Sequence, residues 1–591
     1  YKYMRPKSST FFKQWAGLFL LAVPLAATAA NDTIRVNQLG YYPHQEKIAV
    51  TDCRDIKTFT VTNTSTGQTV FSGKPLYSAS SEWSDKVRTI LDFSPLKVPG
   101  NYQLTIDGKY TVPFSISNQA LLPLSRAALK AFYYQRCSLP IEETYAGKWT
   151  RPAGHPDTQV IIHASAASSE RPAGTVISSP KGWYDAGDYN KYIVNSAFTI
   201  GLMLSAYQAF PEYFTKLETN IPESGNGIPD LLDETYYNLV WMLSMQDPAD
   251  GGVYHKLTTP SFEGFIRPED CKQPRYVVQK SVTATLDFAA VMAQASRLFT
   301  PYDSHFKGFS EKAIQAAEKA YAWAAEHPES YYDQRRLNSQ FQPAISTGEY
   351  GDRNAQDEFF WAATELYLST GKSMYLQDAA KYAPHQYTLP VWGNLSALGV
   401  FSWMQASAQK QEAGQKFLPG LKQSLIHLAD SLIQGADVTP FHAPYGHHTQ
   451  DFFWGSLSDQ CASQGISLIH AYLLSKKETY LNNAYRNMDY LLGRNATGYC
   501  YVTGIGFKSP KHPHHRLSVS DGINEPIPGF LVGGPNPQPQ MGLPAFTCAP
   551  DEAYLDQELS YTTNEIAINW NASLLTFSAM LDALASSENG Q

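Results

Sequence analysis

NQALLPLSRAALKAFYYQRC, residues 118–137, decides the fold. Apolar side chains recur in it at i, i+3 and i+4, the period of one helix face. Everything before it, from Asn31, reads differently. TIRVNQLG, KIAVTD, TFTVTNT, VRTILDF, YQLTID and YTVPFSIS are short runs rich in Val, Ile, Thr, Phe and Tyr, divided by turn residues. That texture predicts a small all-β sandwich over residues 31–117.

After the quoted stretch the helical period persists. Nine further segments carry it, among them SAFTIGLMLSAYQAF, SVTATLDFAAVMAQASRLF, FLPGLKQSLIHLADSLI and NEIAINWNASLLTFSAMLDAL. Two weaker helices are placed near Ser373 and Trp392, with no convincing strands between the helices. Ten to twelve helices joined by long Gly-, Pro-, His- and aromatic-rich linkers predict an all-α (α/α)6 barrel over residues 118–591. A tetratricopeptide-type solenoid would need a regular spacing that these segments lack.

Composition narrows the function. The 591 residues carry a net charge of −8 and no basic run, which argues against a nucleic-acid partner. Aromatics reach 13% of the chain, and flat aromatic faces suit the apolar face of a pyranose. Residues 1–30 read as a secretory signal. Lys2, Arg5, Lys7 and Lys13 precede the apolar run from Trp15, and Ala27-Thr28-Ala29 offers a small-x-small cleavage pattern. The expectation is a secreted or periplasmic monomer, off the membrane once the signal is cut. The six cysteines are too scattered for a disulfide scaffold, with at most one or two bridges, and no CxxC occurs.

Three linkers concentrate the reactive groups. In KGWYDAGDYNKY, residues 181–192, Asp185 and Asp188 lie close enough to hold one water between them. On spacing alone, a helix cap and a surface carboxylate are favoured over catalysis. In VTGIGFKSPKHPHHR, residues 502–516, Pro513 breaks any zinc-binding helix. His514 and Arg516 are then candidates to donate hydrogen bonds to sugar hydroxyls, against the reading of a solvated basic loop. In SYTTNEIAINWNA, residues 560–572, Glu565 stands at the predicted start of the last helix, fit either for a first-turn charge or for a buried acid. One base, one acid and polar grips are the components of a glycosidase.

These blocks resemble glycoside hydrolase family 9, in its branch with an N-terminal immunoglobulin-like domain. IRVNQLGYYP (34–43), GWYDAGDYNKY (182–192), SGNGIPDLLDE (224–234), MQDPADGGVYHK (245–256), the histidine block 491–516 and the acid block 554–572 carry the likeness. The resemblance implies an inverting hydrolase of β-1,4-glucan, endo-acting on cellulose or cello-oligosaccharides. Exo-action on oligosaccharides such as glucosamine oligomers is the rival activity, and a non-catalytic glycan-binding protein the rival class. It makes Asp188 the general base, Asp185 a holder of the attacking water and Glu565 the general acid. His514, Arg516, His255, Trp392 and Tyr561 become sugar contacts. It implies no cofactor for catalysis and a structural Ca2+ whose ligands the sequence does not assign. Zn2+, which many relatives hold near the base, is disfavoured: Cys137, His155 and His163 are kept, but Gly154 stands where a second Cys often occurs.

Overall fold

A computed structural model describes residues 33–588; the expected signal segment lies outside them. Eight strands form the N-terminal unit: β1 (Ile34–Arg35), β2 (Ile48–Thr51), β3 (Phe59–Asn63), β4 (Thr69–Gly73), β5 (Pro75–Ala79), β6 (Arg88–Asp92), β7 (Gly100–Ile106) and β8 (Tyr110–Ile116). They make two four-stranded sheets, ordered β1-β2-β6-β5 and β4-β3-β7-β8. Alternation along β7 puts Tyr102, Leu104 and Ile106 inward, where they meet Ala49, Leu91 and Phe93 of the facing sheet.

Twelve helices of ten or more residues follow among the described residues: α1 (Leu122–Tyr134), α2 (Ile193–Ala209), α3 (Asp230–Ser244), α4 (Val282–Phe299), α5 (Phe309–Glu326), α6 (Gln356–Thr370), α7 (Ser373–Tyr382), α8 (Ser396–Gln405), α9 (Leu418–Ile433), α10 (Ser463–Ser475), α11 (Glu478–Leu491) and α12 (Ile568–Glu588). The even-numbered helices form an inner ring. Helix α2 packs on α4 and α12, α4 on α6, α6 on α8, and α10 on α12. Phe401 of α8 stacks on His470 of α10 at 3.8 Å and closes the circle.

Composition explains the two rings. Fifteen of the seventeen residues of α2 are buried, because apolar and small residues surround it on every side. The outer α9 buries only Leu418, Leu421, Leu425 and Ala429, a single stripe. Gly465 of α10 lets the ring close tightly, since a Cβ there would stand 2.2 Å from the Phe577 ring. Both of the weakly patterned helices expected near Ser373 and Trp392 are present, as α7 and α8. No helix among the described residues is long and apolar enough to cross a membrane. All six cysteines are free thiols.

One feature departs from the sequence reading. A five-stranded sheet lies among the linkers: β9 (Val160–Ile162), β10 (Val176–Ile177), β11 (Lys191–Tyr192), β12 (Lys256–Thr258) and β13 (Tyr276–Val277), ordered β10-β9-β13-β12-β11. Strands of two or three residues are too short to display alternation. The sandwich packs against more than the first helix. Tyr42 does accept the Leu121 N–H, but most polar contacts go to α11 and the turn after it. Asn37 and Gln45 donate to the buried Asp489 at 2.8 and 3.0 Å, Arg494 pairs with the same carboxylate at 3.2 Å, and Glu46 pairs with Arg486. Trp83 packs edge-on against Phe452 and donates to Asp551.

Asp489→Ala leaves Arg494 buried without its counter-charge, so it is expected to destabilise the protein by about 3–5 kcal/mol. Thermal unfolding of the variant checks this; a transition unchanged from wild type contradicts the assigned role of the pair.

Candidate active site

Glu565 does not open a helix. The chain makes one turn, Tyr561–Asn564, runs extended through Glu565–Ala567, and only then enters α12. The extended segment pairs with three neighbours: Glu565 with His514, Ile566 with Val532, and Ala567 with Ala186. The Ile568 N–H also donates to the Asp185 carbonyl at 2.8 Å. Backbone hydrogen bonding thus brings the DAGD loop, the histidine loop and the acid segment together, although hundreds of residues separate the first from the others. Gly187 is needed at this crossing, because a Cβ there would lie 2.2 Å from the His514 carbonyl oxygen.

The result is a cleft of about 420 Å³ lined by Asp185, Asp188 and Glu565, with Tyr192, Tyr350, Phe262, Trp392, Trp454 and Trp570 as aromatic walls. Each carboxylate is held differently. Asp188 Oδ2 accepts from the Asn190 side chain at 2.8 Å and from Tyr192 Oη at 3.1 Å, which leaves Oδ1 without a protein donor among the described residues. Asp185 accepts from Asn195 at 2.8 Å and from Tyr350 Oη at 2.7 Å. Burial, and then the charge of Asp188, push the Asp185 carboxyl up to about 8. Among the described residues Glu565 receives only the Gly187 N–H, at 3.3 Å. Burial first, then Asp188, hold its carboxyl well above the usual range against the opposing pull of Arg516.

The expected sugar contacts divide. Trp392 lines the cleft, set edge-on to Tyr350. Tyr561 stands between the rings of Trp454 and His514. His514 Nδ1 faces the Glu558 carbonyl, which can only accept, so the ring is an Nδ1–H tautomer. Burial lowers its pKa to about 4, and its Nε2 is an acceptor rather than the donor the sequence suggested. Arg516 Nε donates to Glu263 and Nη1 to Gly187, both backbone carbonyls, with the guanidinium over Phe262 and Phe265. One arm of its fork, together with its backbone N–H, clamps Gly187 of the DAGD loop. His255 is a correction. Its Nε2 donates to the Glu349 carbonyl at 2.7 Å, its Nδ1 takes the Ser281 hydroxyl at 2.8 Å, and its ring stacks on Tyr332 at 4.0 Å. With both nitrogens spent inside the protein, it supports the cleft wall at Glu349 and does not reach sugar.

Sequence reasoning missed Tyr350, Tyr192, Trp454 and Asp459 as parts of the site. Tyr192 adjoins the DAGD segment and Tyr350 precedes α6, but neither position reports what a hydroxyl donates to.

A twelve-helix toroid with a carboxylate pair facing a third, buried carboxyl across an aromatic cleft defines a glycoside hydrolase. The comparisons with known proteins agree: the glycosyl hydrolase family 9 model matches residues 123–578, and the cellulase N-terminal ig-like domain model matches residues 29–111. The chain belongs to glycosyl hydrolase family 9 and is of its glucan-cleaving, endo-β-1,4 type. It is 62% identical, over 96% of its length and 97% of the relative's, to a xyloglucan-specific endo-beta-1,4-glucanase of Bacteroides ovatus. Endoglucanase D of Acetivibrio thermocellus is 33% identical over 92% of this chain and 82% of its own. A solved structure of a Bacteroides ovatus family 9 protein superposes with a TM-score of 0.91, at 62% identity, over 94% of this chain and 100% of that one.

The zinc that many family members hold near the base does not fit these residues. Asp157, fully buried beside Cys137, is gripped by Arg275 through two bonds of 3.0 Å and by Lys191 at 2.8 Å. Arg275 and Lys191 thus already supply the positive charge beside Cys137. A cysteine at 154 would put its Cβ 2.6 Å from Pro268, and His163 is spent on Ser165 and the Pro343 carbonyl. Calcium fares better at Asp352, Asp357 and Glu358, whose ligand atoms all lie within 4.8 Å of one another. Both Glu358 oxygens and Asp352 Oδ2 are buried without a donor, as hard-cation ligands would be.

The raised Asp185 carboxyl has a stability signature. The unfolded chain ionises near the ordinary value of 3.8 and the folded one near 8, so between them the native state binds more protons and this group's contribution falls as pH rises. Asp185→Asn removes that slope. The melting temperature of the variant is expected to gain on wild type steadily from pH 5 to pH 8, a range in which removing an ion-paired aspartate, with its lowered pKa, gives no slope.

Proposed function

We propose that this protein hydrolyses internal β-1,4 bonds of xyloglucan with inversion, and the observation that carries the reading is the convergence of Asp185, Asp188 and Glu565 on one aromatic cleft. In this mechanism Glu565, kept protonated by burial, delivers its proton to the glycosidic oxygen as the bond to the anomeric carbon breaks. A water on the opposite face attacks that carbon and gives its proton to Asp188. Asn190 and Tyr192 occupy Oδ2 of the base, so Oδ1 is the oxygen presented to the water. Asp185, oriented by Asn195 and Tyr350, holds the same water from its other side. The sugar product leaves with inverted configuration, and a proton exchange between the carboxyls and solvent resets the enzyme.

Xyloglucan is favoured over plain cellulose by the similarity, along nearly the whole chain, to a relative named as xyloglucan-specific. Asp352, Asp357 and Glu358 are read as holding Ca2+, which would neutralise the buried charge where α6 begins. Asp357 also accepts the Leu395 N–H at 2.8 Å, so the same site braces the turn that carries Trp392. The basic, apolar opening of the sequence supports export to the periplasm or beyond.

Glu565→Gln and Asp188→Asn are each expected to lower kcat on xyloglucan by about 10²–10⁴-fold with the fold intact. Proton NMR of the first product formed should show the α-anomer; an initial β-anomer would exclude inversion. A calcium-selective chelator is expected to lower the melting temperature, with added Ca2+ restoring it, whereas a zinc-selective chelator leaves it unmoved. A zinc-dependent melting temperature would contradict the Asp157 clamp.

A further inference from the structure

The cleft does not stop at the catalytic carboxyls. A second cavity of about 430 Å³ adjoins it, lined by Thr388, Val391, Asn394, Phe453 and Gln460. Two side chains belong to both cavities, Trp392 and Asp459. We propose that Asp459 is a specificity-determining residue, whose carboxylate accepts hydrogen bonds from the hydroxyls of a pyranose seated against Trp392 at this junction. The inference rests on the glucan-cleaving reading above and assigns one residue of its recognition.

The case begins with the backbone. Asp459 lies in a π-turn, Leu457–Ala462, immediately before α10. Such turns shift one residue out of the α register and recur where a side chain is presented to a site. The Asp459 N–H is satisfied by the Gly455 carbonyl at 2.9 Å, so the main chain is fixed. The side chain, by contrast, has only its neighbour Ser458 as a hydrogen-bonding partner among the described residues. It caps no helix either, since the residue preceding α10 is Ala462 and no side chain accepts there. Asp185 and Asp188, in the same cleft, each take two side-chain donors. Asp459 is therefore engaged by fewer protein donors than either aspartate of the catalytic pair, which leaves it acceptor capacity for a ligand.

Its surroundings suit a sugar. Asp459 is half-buried, and burial pushes its carboxyl up to about 7, so a donor from the ligand relieves a desolvated group. Trp392 beside it offers an aromatic face, and the indole of Trp454, 48% exposed, flanks the same cleft. A stacking ring with a lateral carboxylate fixes both the apolar face and the hydroxyl edge of a pyranose. Two sources can supply that pyranose: a glucosyl unit of the main chain, or a xylosyl branch.

The test uses the full chain carrying Glu565→Gln, so that ligands bind without turnover, with and without Asp459→Ala or Asp459→Asn. Titration calorimetry with cellohexaose and with a xylosylated cellotetraose reads the two sources separately. Asp459→Ala is expected to weaken binding about tenfold, and Asp459→Asn, which keeps one acceptor, by less. Loss with both ligands identifies a main-chain unit; loss with the xylosylated ligand alone identifies the branch. If the Glu565→Gln parent binds both ligands and neither Asp459 variant changes the affinity, the assignment of Asp459 is overturned while the glucanase reading stands. If the parent binds neither, the glucanase reading itself falls. Asp459→Asn preserves shape and volume, so it decides the matter even where the alanine variant does not fold.

Discussion

The site depends on three residues of extended chain, Glu565 to Ala567. Their pairing with His514, Val532 and Ala186 fixes the distance between loops that no helix positions directly. The inner ring supplies the anchors on either side: α2 begins just after the DAGD loop, α12 just after Ala567, and the two helices pack against each other. A carboxyl on a helix would inherit the helix's orientation. One on an extended segment, fastened by neighbouring backbone on both sides, is aimed independently of the helix that follows. Gly187 makes this arrangement possible, because only a residue without Cβ lets the DAGD loop pass under the His514 carbonyl. The rest of the chemistry, including the burial that raises Glu565, follows from that closeness.

How much of this was legible depended on scale. Helices such as α2 and α4 announce themselves through many periodic residues, and the sandwich through its spaced β-branched runs. The barrel and its order could be read from them. Strands β9 to β13 could not, since two residues carry no period, yet β11 is what turns Tyr192 back onto Asp188. Motif blocks named the three carboxyls but said little about their partners. His255 looked like a ligand because histidines in such blocks often are. Its role is set by Ser281 and the Glu349 carbonyl, contacts that sequence distance conceals. Arg516 similarly reads as a free fork until Glu263 and Gly187 are seen to take two of its nitrogens.

Buried charge is handled in two contrasting ways around the cleft. Behind the DAGD loop, Asp157 is neutralised by Arg275 and Lys191. Arg275 also donates to the Tyr189 carbonyl at 2.7 Å, and Lys191 to the Lys181 carbonyl at 2.7 Å. The loop bearing both aspartates is thereby tied at residues 181, 189 and 191 to one buried anion. An ion cluster of this kind is costly to desolvate but fixes geometry wherever all its donors are used. In the cleft itself Asp185 and Glu565 have no ion-pair partner among the described residues, and their elevated affinity for protons is the working property. Rigid compensation at the back permits uncompensated charge at the front.

The sandwich takes part in the same logic, although it lines none of the cleft described above. Gln38, in the loop after β1, receives the N–H groups of Phe507 and Lys508 on its side-chain oxygen and donates to the Gly498 carbonyl at 2.7 Å. Its own N–H goes to the Leu492 carbonyl. Residues 492–508 are the first half of the loop that ends at His514 and Arg516. A Gly-rich loop of that length would sample many conformations if its backbone groups were left to water. Gln38 satisfies four of them, Arg494 is held by Asp489 within the interface, and Gly493 lies so close that a Cβ would meet the Val36 carbonyl at 2.4 Å. The N-terminal domain therefore does more than cover apolar surface. It sets the root of the histidine loop, the loop tip pairs with Glu565, and the position of the buried acid carries a dependence on a domain that contributes no residue to the chemistry.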